Sequence, residues 1–310
     1  MYKALILNTN NQYFYHLLLL TCVLACHTLQ KVFSFGLQSQ LLFFLVLTLS
    51  IGVFHGMLDI VLLKNKPFSH KRFLLVYGTI AAVTCALFSL FFGLAIIFLL
   101  ALSVWHFGEQ QGEKSNIKQS VLRRFALGTS ALAATFLLGG SDISVILTAL
   151  LNDTVWLNIS WLNLTWQSWR WLSYCWLFLF GFYALTKLYK RQFFDADIAE
   201  IAVVWLAFLL LPPLLAFSLY FAMYHALRHI RDVLPNKTAI KTHQTALTLT
   251  ALASAFMLGC VLWQFSRQNM PIFTSQAILQ ATIVLLVAIT LPHAILISFW
   301  RNNIQEQYSR

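Results

Sequence analysis

Five histidines in four short motifs lie within or at the edge of long apolar stretches, and they are the best candidates for chemistry in this chain. Ionisable side chains at membrane depth are costly and normally persist for function. Neutral imidazole is also the commonest metal ligand in proteins. The motifs therefore predict a metal centre within a helical bundle. They are His55-Gly56-Met57-Leu58-Asp59, Trp105-His106-Phe107-Gly108-Glu109, His225-Ala226-Leu227-Arg228-His229 and Leu291-Pro292-His293.

The third motif supplies a pair of ligands by its spacing. His225 and His229 are four residues apart, so both imidazoles project from one helix face and can bind one ion. Two ligands from other helices would complete a set of four nitrogens. We assign these positions to His55 and His106, because each has a carboxylate close by in the sequence.

Those carboxylates are predicted to hold the ligands in place. Asp59 follows His55 by one helical turn, and Glu109 follows His106 by three residues. Metal-bound imidazole usually donates its other N–H to such an acceptor, which fixes the tautomer and raises the basicity of the ring. Asp59 and Glu109 are therefore expected to orient ligands and not to act as general acids.

The other histidines divide into two groups. For His293, the sequence leaves open four roles: metal ligand, partner of a ligand, substrate contact, or a purely structural role. Structural or solvated roles are expected for His16, His27, His70 and His243.

Three neighbours of the motif histidines also have expected roles. Gly56 and Gly108 leave room for close helix approach. Arg228 lies about 100° from its flanking histidines around the helix and is expected to extend to the inner interface of the membrane.

The types of donor atom limit which metal ions could bind but do not identify one. The five cysteines are scattered through apolar stretches and are expected to be small buried hydrophobes. Because neither thiolates nor a set of carboxylates accompanies the histidines, calcium and magnesium are disfavoured. Imidazole suits zinc, copper, iron and nickel alike.

The composition identifies the class of protein. Hydrophobic residues make up 59% of the chain and charged residues 10%, with a mean hydropathy of +0.73. We therefore expect an all-α, polytopic membrane protein with one integral-membrane domain over residues 1–310 and a motif-bearing core at about 40–300. The net charge of +11 does not indicate nucleic-acid binding, because the basic residues cluster at the ends of apolar segments.

Hydropathy predicts about ten membrane segments, or eight if residues 200–231 form a re-entrant pair. With a cytoplasmic N-terminus, every lysine and arginine except Lys31, Arg170 and Arg267 falls on the cytoplasmic side. This asymmetry predicts that both termini are cytoplasmic. The segments lie near 14–30, 40–63, 73–91, 93–108, 122–139, 171–190, 200–212, 214–231, 245–264 and 276–299.

This topology places all five motif histidines at one depth, in roughly the cytoplasmic third of the bilayer. His55 precedes the basic cluster that starts at Lys64, and His293 precedes Arg301 by a similar distance along its helix. Histidines with unrelated roles would scatter in depth. Their common depth supports one shared centre.

Together and in this order, the four motifs resemble the Brp/Blh family of bacterial and archaeal membrane β-carotene 15,15′-dioxygenases, which are associated with microbial rhodopsins. The resemblance covers residues about 40–300. Each motif alone is weak, but four in order are fairly specific. Phe54 stands where the family often has proline, and Gln110 and Gln111 shorten the acidic run of the second motif. These departures bear on helix geometry or substrate preference.

The resemblance implies an iron(II) enzyme that splits the central 15,15′ double bond of β-carotene with O₂ to give two molecules of all-trans-retinal. It implies that His55, His106, His225 and His229 are the iron ligands. It also implies that the apolar substrate enters from the lipid bilayer, that the protein is a multi-pass protein of the bacterial inner membrane, and that its product serves a retinal-binding rhodopsin.

Three other functions compete with this interpretation. A di-iron membrane desaturase or hydroxylase would need eight or more clustered histidines, whereas this chain has one His-x-x-x-His pair. A metal transporter would distribute its ligands along a transmembrane path. A bis-histidine haem protein could use His55 with His225. A rhodopsin is excluded, because every lysine lies outside the apolar cores.

Overall fold

The computed structural model of the chain is all-helical in the residues that it describes, and no strand occurs among them. Those residues are 2–33, 35–59, 70–110, 121–140, 142–143, 145–146, 166–190, 196–233, 244, 248, 251–252, 254–255, 259 and 275–308. The all-α prediction is confirmed. The principal helices are α1 (Tyr2–Gln30), α2 (Leu37–Met57), α3 (His70–Leu90), α4 (Phe92–Gln110), α5 (Val121–Gly128), α6 (Ser130–Leu138), α7 (Trp166–Tyr189), α8 (Ala196–Leu210), α9 (213–233) and α10 (Ser275–Tyr308).

A described helix overlaps each predicted apolar segment apart from 245–264, which lies largely outside the described residues. Their ends follow from local chemistry. α8 ends at Leu210 because Pro212 and Pro213 cannot continue a helix, and α9 begins at Pro213, whose missing N–H costs nothing in a first turn. Asp197 lies in the first turn of α8, where the helix dipole favours a negative charge.

Two helical stretches are long and apolar enough to cross a membrane, by length and composition. They are Tyr13–Gln30 in α1 and Leu37–Met57, with mean hydropathies of 1.3 and 1.9. The pair α5 and α6 is bent by 40°, and it makes a third span if it is counted as one. Three further apolar stretches in the part of the chain searched have only 10 to 17 residues, namely Leu74–Phe88, Leu94–Gly108 and Thr282–Leu296. The number of about ten crossings therefore stays a prediction.

The chain divides into two compact units that interleave along the sequence. The first unit contains Met1–Phe44, Ser103–Ala149 and Ile159–Arg228. The second contains Leu45–Leu102, Leu150–Asn158 and His229–Arg310. The single integral-membrane domain over residues 1–310 stays a prediction.

The first unit has an aromatic core around Trp176 on α7. The Trp176 ring stacks on Phe180 and Trp205, with centroids 5.1 and 4.9 Å away. Its indole Nε1–H donates to the carbonyl of Ala126 at 2.8 Å, so the polar atom of this buried side chain has a partner. This packing joins α7 to α5 and α8.

Glycines let α4 and α5 approach closely in the first unit. A Cβ on Gly128 would lie 2.1 Å from the carbonyl oxygen of Val104, and one on Gly108 would lie 2.4 Å from that of Arg124. The close approach expected at Gly108 is confirmed. Gly56 is under less constraint, since its nearest neighbours would be side-chain atoms at 3.6 and 3.7 Å.

Two ion pairs lie in the first unit, one part-buried and one buried. Arg123 donates two bonds of 2.7 Å to Asp197, which also accepts from the Tyr183 hydroxyl at 2.5 Å. On the neighbouring turn, a carboxylate oxygen of Glu200 lies 4.0 Å from a guanidinium nitrogen of Arg228. The expectation that Arg228 extends to the interface is wrong: the side chain is 4% exposed, because Glu200 offers it a partner inside the unit.

In the second unit, α3 packs along α10. Phe88 of α3 and Val284 and Val287 of α10 are buried in one cluster, which Ala95 of α4 completes. Pro292 interrupts the hydrogen bonding of α10. One turn before it, the carbonyl of Ile289 accepts a bond of 3.2 Å from the Tyr77 hydroxyl of α3.

Candidate metal centre

Each of the helices α2, α9 and α10 is irregular close to a motif histidine. α2 widens into a π-helical turn at Thr48–Gly52, just before His55, and α9 does so at Tyr220–Ala226, which includes His225. Such turns are rare and often occur at functional sites. In α10 the irregularity is Pro292, the residue before His293. An inserted residue turns the following side chains by about 100° around the helix axis.

Three of the motif histidines cluster in the second unit. The ring centroids of His55 and His293 are 4.9 Å apart, those of His229 and His293 5.1 Å, and those of His55 and His229 5.7 Å. The three rings are nearly perpendicular to one another, with interplanar angles of 81° to 89°. All three side chains are buried.

Asp59 completes this cluster. Its carboxylate is fully buried, at 0% exposure, and it accepts from Nδ1–H of His293 at 2.8 and 2.9 Å. Nδ1–H of His55 donates to the backbone carbonyl of Gly52, in the π-helical turn. Because Nδ1 carries the proton in both His55 and His293, the lone pair of each imidazole lies on Nε2.

The first unit holds the other two histidine side chains of interest. The rings of His106 and His225 have centroids 5.0 Å apart, and both side chains are buried. Phe107 packs edge-on against His225 at 4.6 Å, and Phe221 stacks on it at 5.6 Å. These aromatic rings surround His225 with apolar surface.

The structure gives Asp59 a different partner from the one that the spacing suggested. The acceptor expected at His55 is the carbonyl of Gly52, whereas Asp59 serves His293. The side chain of Glu109 lies outside the described residues, so its expected role stays a prediction. His106 and His225 come together in one unit, and the second unit brings His55 together with the fourth predicted ligand, His229.

The histidines that were expected to be structural behave so where they are described. His16 Nε2 lies 3.1 Å from the Tyr224 hydroxyl, and its ring stacks on that tyrosine. His27 Nδ1 lies 3.0 Å from the carbonyl oxygen of Leu210 and 2.9 Å from Nε2 of Gln30. The side chain of His70, and His243 as a whole, lie outside the described part of the chain.

Sequence reasoning missed two residues next to the motifs. Glu200 on α8 accepts from the Tyr224 hydroxyl at 2.6 Å, and Tyr224 directly precedes His225. A glutamate in an apolar helix was a usable signal, because such residues rarely lack a function. Tyr77, which bonds to α10 beside Pro292, carried no comparable signal.

The donor set fits a transition-metal ion. In the second unit, Asp59, His229 and His293 are buried and offer ligand atoms within 4.8 Å of one another. Imidazole donors suit iron, zinc, copper and nickel. The fold and these residues thus define an all-helical protein with a buried histidine cluster that could hold a metal ion.

Comparison with known proteins identifies the family. The model of the β-carotene 15,15′-dioxygenase family matches residues 46–301, which contain all four motifs, so the chain belongs to that family. A probable β-carotene 15,15′-dioxygenase Blh of Halobacterium salinarum is 28% identical over 125 residues. That stretch is 35% of this chain, and the chain covers 34% of the relative's length. No solved structure matches the chain.

Proposed function

We propose that this protein cleaves the central 15,15′ double bond of β-carotene with O₂, which gives two molecules of all-trans-retinal, in a reaction that depends on Fe(II). The observation that carries this proposal is that five histidines of the family region are buried in the described part of the chain, and these cluster within each unit. β-Carotene and O₂ account for all atoms of the two aldehydes. Both oxygen atoms enter the products, so no further reductant is required.

We assign iron binding to His55, His106, His225 and His229, with Asp59, Glu109 and His293 in supporting roles. Bound iron would supply the redox chemistry that lets O₂ react with a polyene. The backbone carbonyl of Gly52 fixes the tautomer of His55, so that Nε2 is the nitrogen with ligand character. The buried positions of the rings exclude water from the donors.

The proposed substrate requires an apolar binding site, and aromatic side chains near His225 provide apolar surface. β-Carotene is a hydrocarbon about as long as the core of a bilayer is thick, roughly 30 Å. Phe107, Phe221 and Tyr220 lie around His225 and the residues before it, with Phe107 and Tyr220 rings 5.6 Å apart. Aromatic faces can line a path for a polyene without offering it unmatched polar groups.

The membrane placement belongs to the same proposal. We assign the chain to the bacterial inner membrane as a single multi-pass domain, with about ten crossings and both termini in the cytoplasm. The distribution of lysine and arginine supports this topology. Retinal formed in the bilayer would be available to a retinal-binding rhodopsin.

Expression in a β-carotene-producing bacterial host tests the proposal directly. Pigments are extracted and separated by chromatography, and the wild type is compared with a His225→Ala/His229→Ala double variant. His27→Gln is the matched control, because His27 bonds only to structural groups of α1 and α8 in the described contacts. We expect retinal to replace β-carotene with the wild type and the control, and not with the double variant. Intact β-carotene beside well-expressed wild type would refute the proposal.

A further inference from the structure

We infer that His293 is itself a metal ligand, through Nε2, and that Asp59 is the positioning residue that aims it. The inference deepens the proposed function and rests on its metal centre. It adds the imidazole of His293 to those of His55 and His229, the two assigned ligands of the second unit. It also replaces the partner that the sequence suggested for Asp59, because the carboxylate holds His293 and not His55.

The spacing of the rings in the second unit supports one shared ion. With metal–nitrogen bonds of about 2.1 Å, imidazoles at neighbouring positions of one ion have ring centroids roughly 4.6 to 5.3 Å apart. His293 lies within that range of both His55, at 4.9 Å, and His229, at 5.1 Å. The pair His55 and His229, at 5.7 Å, lies slightly beyond it. His293 is therefore the ring that fits best among the three.

The contact with Asp59 prepares His293 for this role. Since Nδ1–H donates to the carboxylate, the lone pair lies on Nε2, on the opposite side of the ring. A carboxylate behind an imidazole raises its basicity and restricts its rotation, and this arrangement recurs behind metal-bound histidines. Placing a carboxylate at 0% exposure is costly, and a neutral acceptor would satisfy one N–H as well. A metal cation nearby would offset that cost.

The backbone around His293 is also held in place. Pro292 has no N–H, so the helical hydrogen bond to the carbonyl four residues earlier is missing. The Tyr77 hydroxyl of α3 donates to the next carbonyl, that of Ile289, at 3.2 Å. α3 therefore fixes the turn that carries His293, which a ligand requires more than a packing residue does.

A contact to the proposed substrate explains these features less well. β-Carotene has no hydrogen-bond donor or acceptor. An imidazole whose basicity is raised by Asp59 gains nothing from a hydrocarbon, and its polar ring atoms would be costly against it. The dyad of Asp59 and His293 suits a cation.

Cobalt binding to the purified full-length protein tests the inference independently of turnover. Co²⁺ reports ligand number and geometry through its visible absorption bands. We compare the wild type with His293→Gln, which keeps a donor for Asp59, with Asp59→Asn, and with the control His27→Gln. For His293→Gln we expect a loss of Co²⁺ affinity of at least about tenfold together with altered bands. For Asp59→Asn we expect a loss of about 10- to 100-fold with the band pattern retained, because the ligands are unchanged.

Wild-type affinity and wild-type bands in His293→Gln would overturn the inference. A second measurement needs no change at His293: in the cobalt-loaded protein, each bound imidazole contributes one shifted, exchangeable N–H proton to the NMR spectrum. Asp59→Asn should move one of these signals, and an unchanged spectrum would also overturn the inference. If His293 governs cobalt binding but the wild-type protein forms no retinal, the metal site stands and the proposed function fails. If the wild type forms retinal and His293→Gln binds cobalt normally, the proposed function stands and the inference about His293 fails.

Discussion

A methyl group added at Gly128 should separate the helix that carries His106 from its neighbour. In Gly128→Ala, the new Cβ would lie 2.1 Å from the carbonyl oxygen of Val104, whereas ordinary contact begins at 3.4 Å. The helices α4 and α5 must therefore part by about 1.3 Å, the difference between these two distances, because the atom that is struck belongs to the backbone. Overpacking typically costs about 1 to 3 kcal/mol, and we expect the upper end here.

The same displacement should reach the candidate metal centre. Val104 and His106 lie on one turn of α4, so the outward shift carries the His106 ring away from His225, which is now 5.0 Å away. A misplacement of about 1 Å at a reacting centre can cost 10²-fold in rate. We therefore expect a lower apparent melting temperature in detergent and a loss of retinal formation in the β-carotene-producing host.

Gly181→Ala is the matched control, since it makes the same change in α7 of the same unit. A Cβ at Gly181 meets no atom within 4 Å, and alanine stabilises a helix interior by about 1 kcal/mol relative to glycine. The control should match or exceed the wild type in melting temperature and activity. If Gly128→Ala behaved like Gly181→Ala, the close contact between α4 and α5 would be refuted.

Three further predictions use the same assays. Tyr224→Phe removes a bond of 2.6 Å to the buried carboxylate of Glu200 and should cost about 1 to 3 kcal/mol in detergent unfolding, whereas no change in melting temperature would contradict the described network. Asp197 lies before the predicted span at 200–212. Burial raises the pKa of its carboxyl group, but the hydrogen bonds and charge of Arg123 lower it by more, so the pKa lies below its usual value. Its stabilising contribution should therefore be present above the unfolded-state pKa near 4 and be lost as pH falls through the lower folded-state value, so Asp197→Asn should be less stable at neutral pH and less sensitive to acid than the wild type. Removal of metal with a chelator should abolish retinal formation, and Fe²⁺ but not Mg²⁺ should restore it; full activity after complete metal removal would contradict the iron assignment.

Much of the fold was accessible from the sequence because hydropathy alone determines where apolar helices can lie. The break between α8 and α9 at Pro212 and Pro213 follows from the same elementary rules. Arg228 was placed wrongly because its partner is remote in sequence. Glu200, which is 28 residues earlier on another helix, keeps the guanidinium buried, and only the three-dimensional packing reveals that pair.

The spacing of the histidine motifs did not predict the partner of Asp59, and the π-helical turn of α2 explains the difference. Spacing of one helical turn suggested that Asp59 would serve His55. In the structure, the turn at Thr48–Gly52 presents a backbone carbonyl to Nδ1–H of His55, so this ring needs no carboxylate. Asp59 is then available to His293, 234 residues away, whose own helix is interrupted by proline. Regular helical periodicity cannot predict this exchange, because it arises from the two places where the helices depart from regularity.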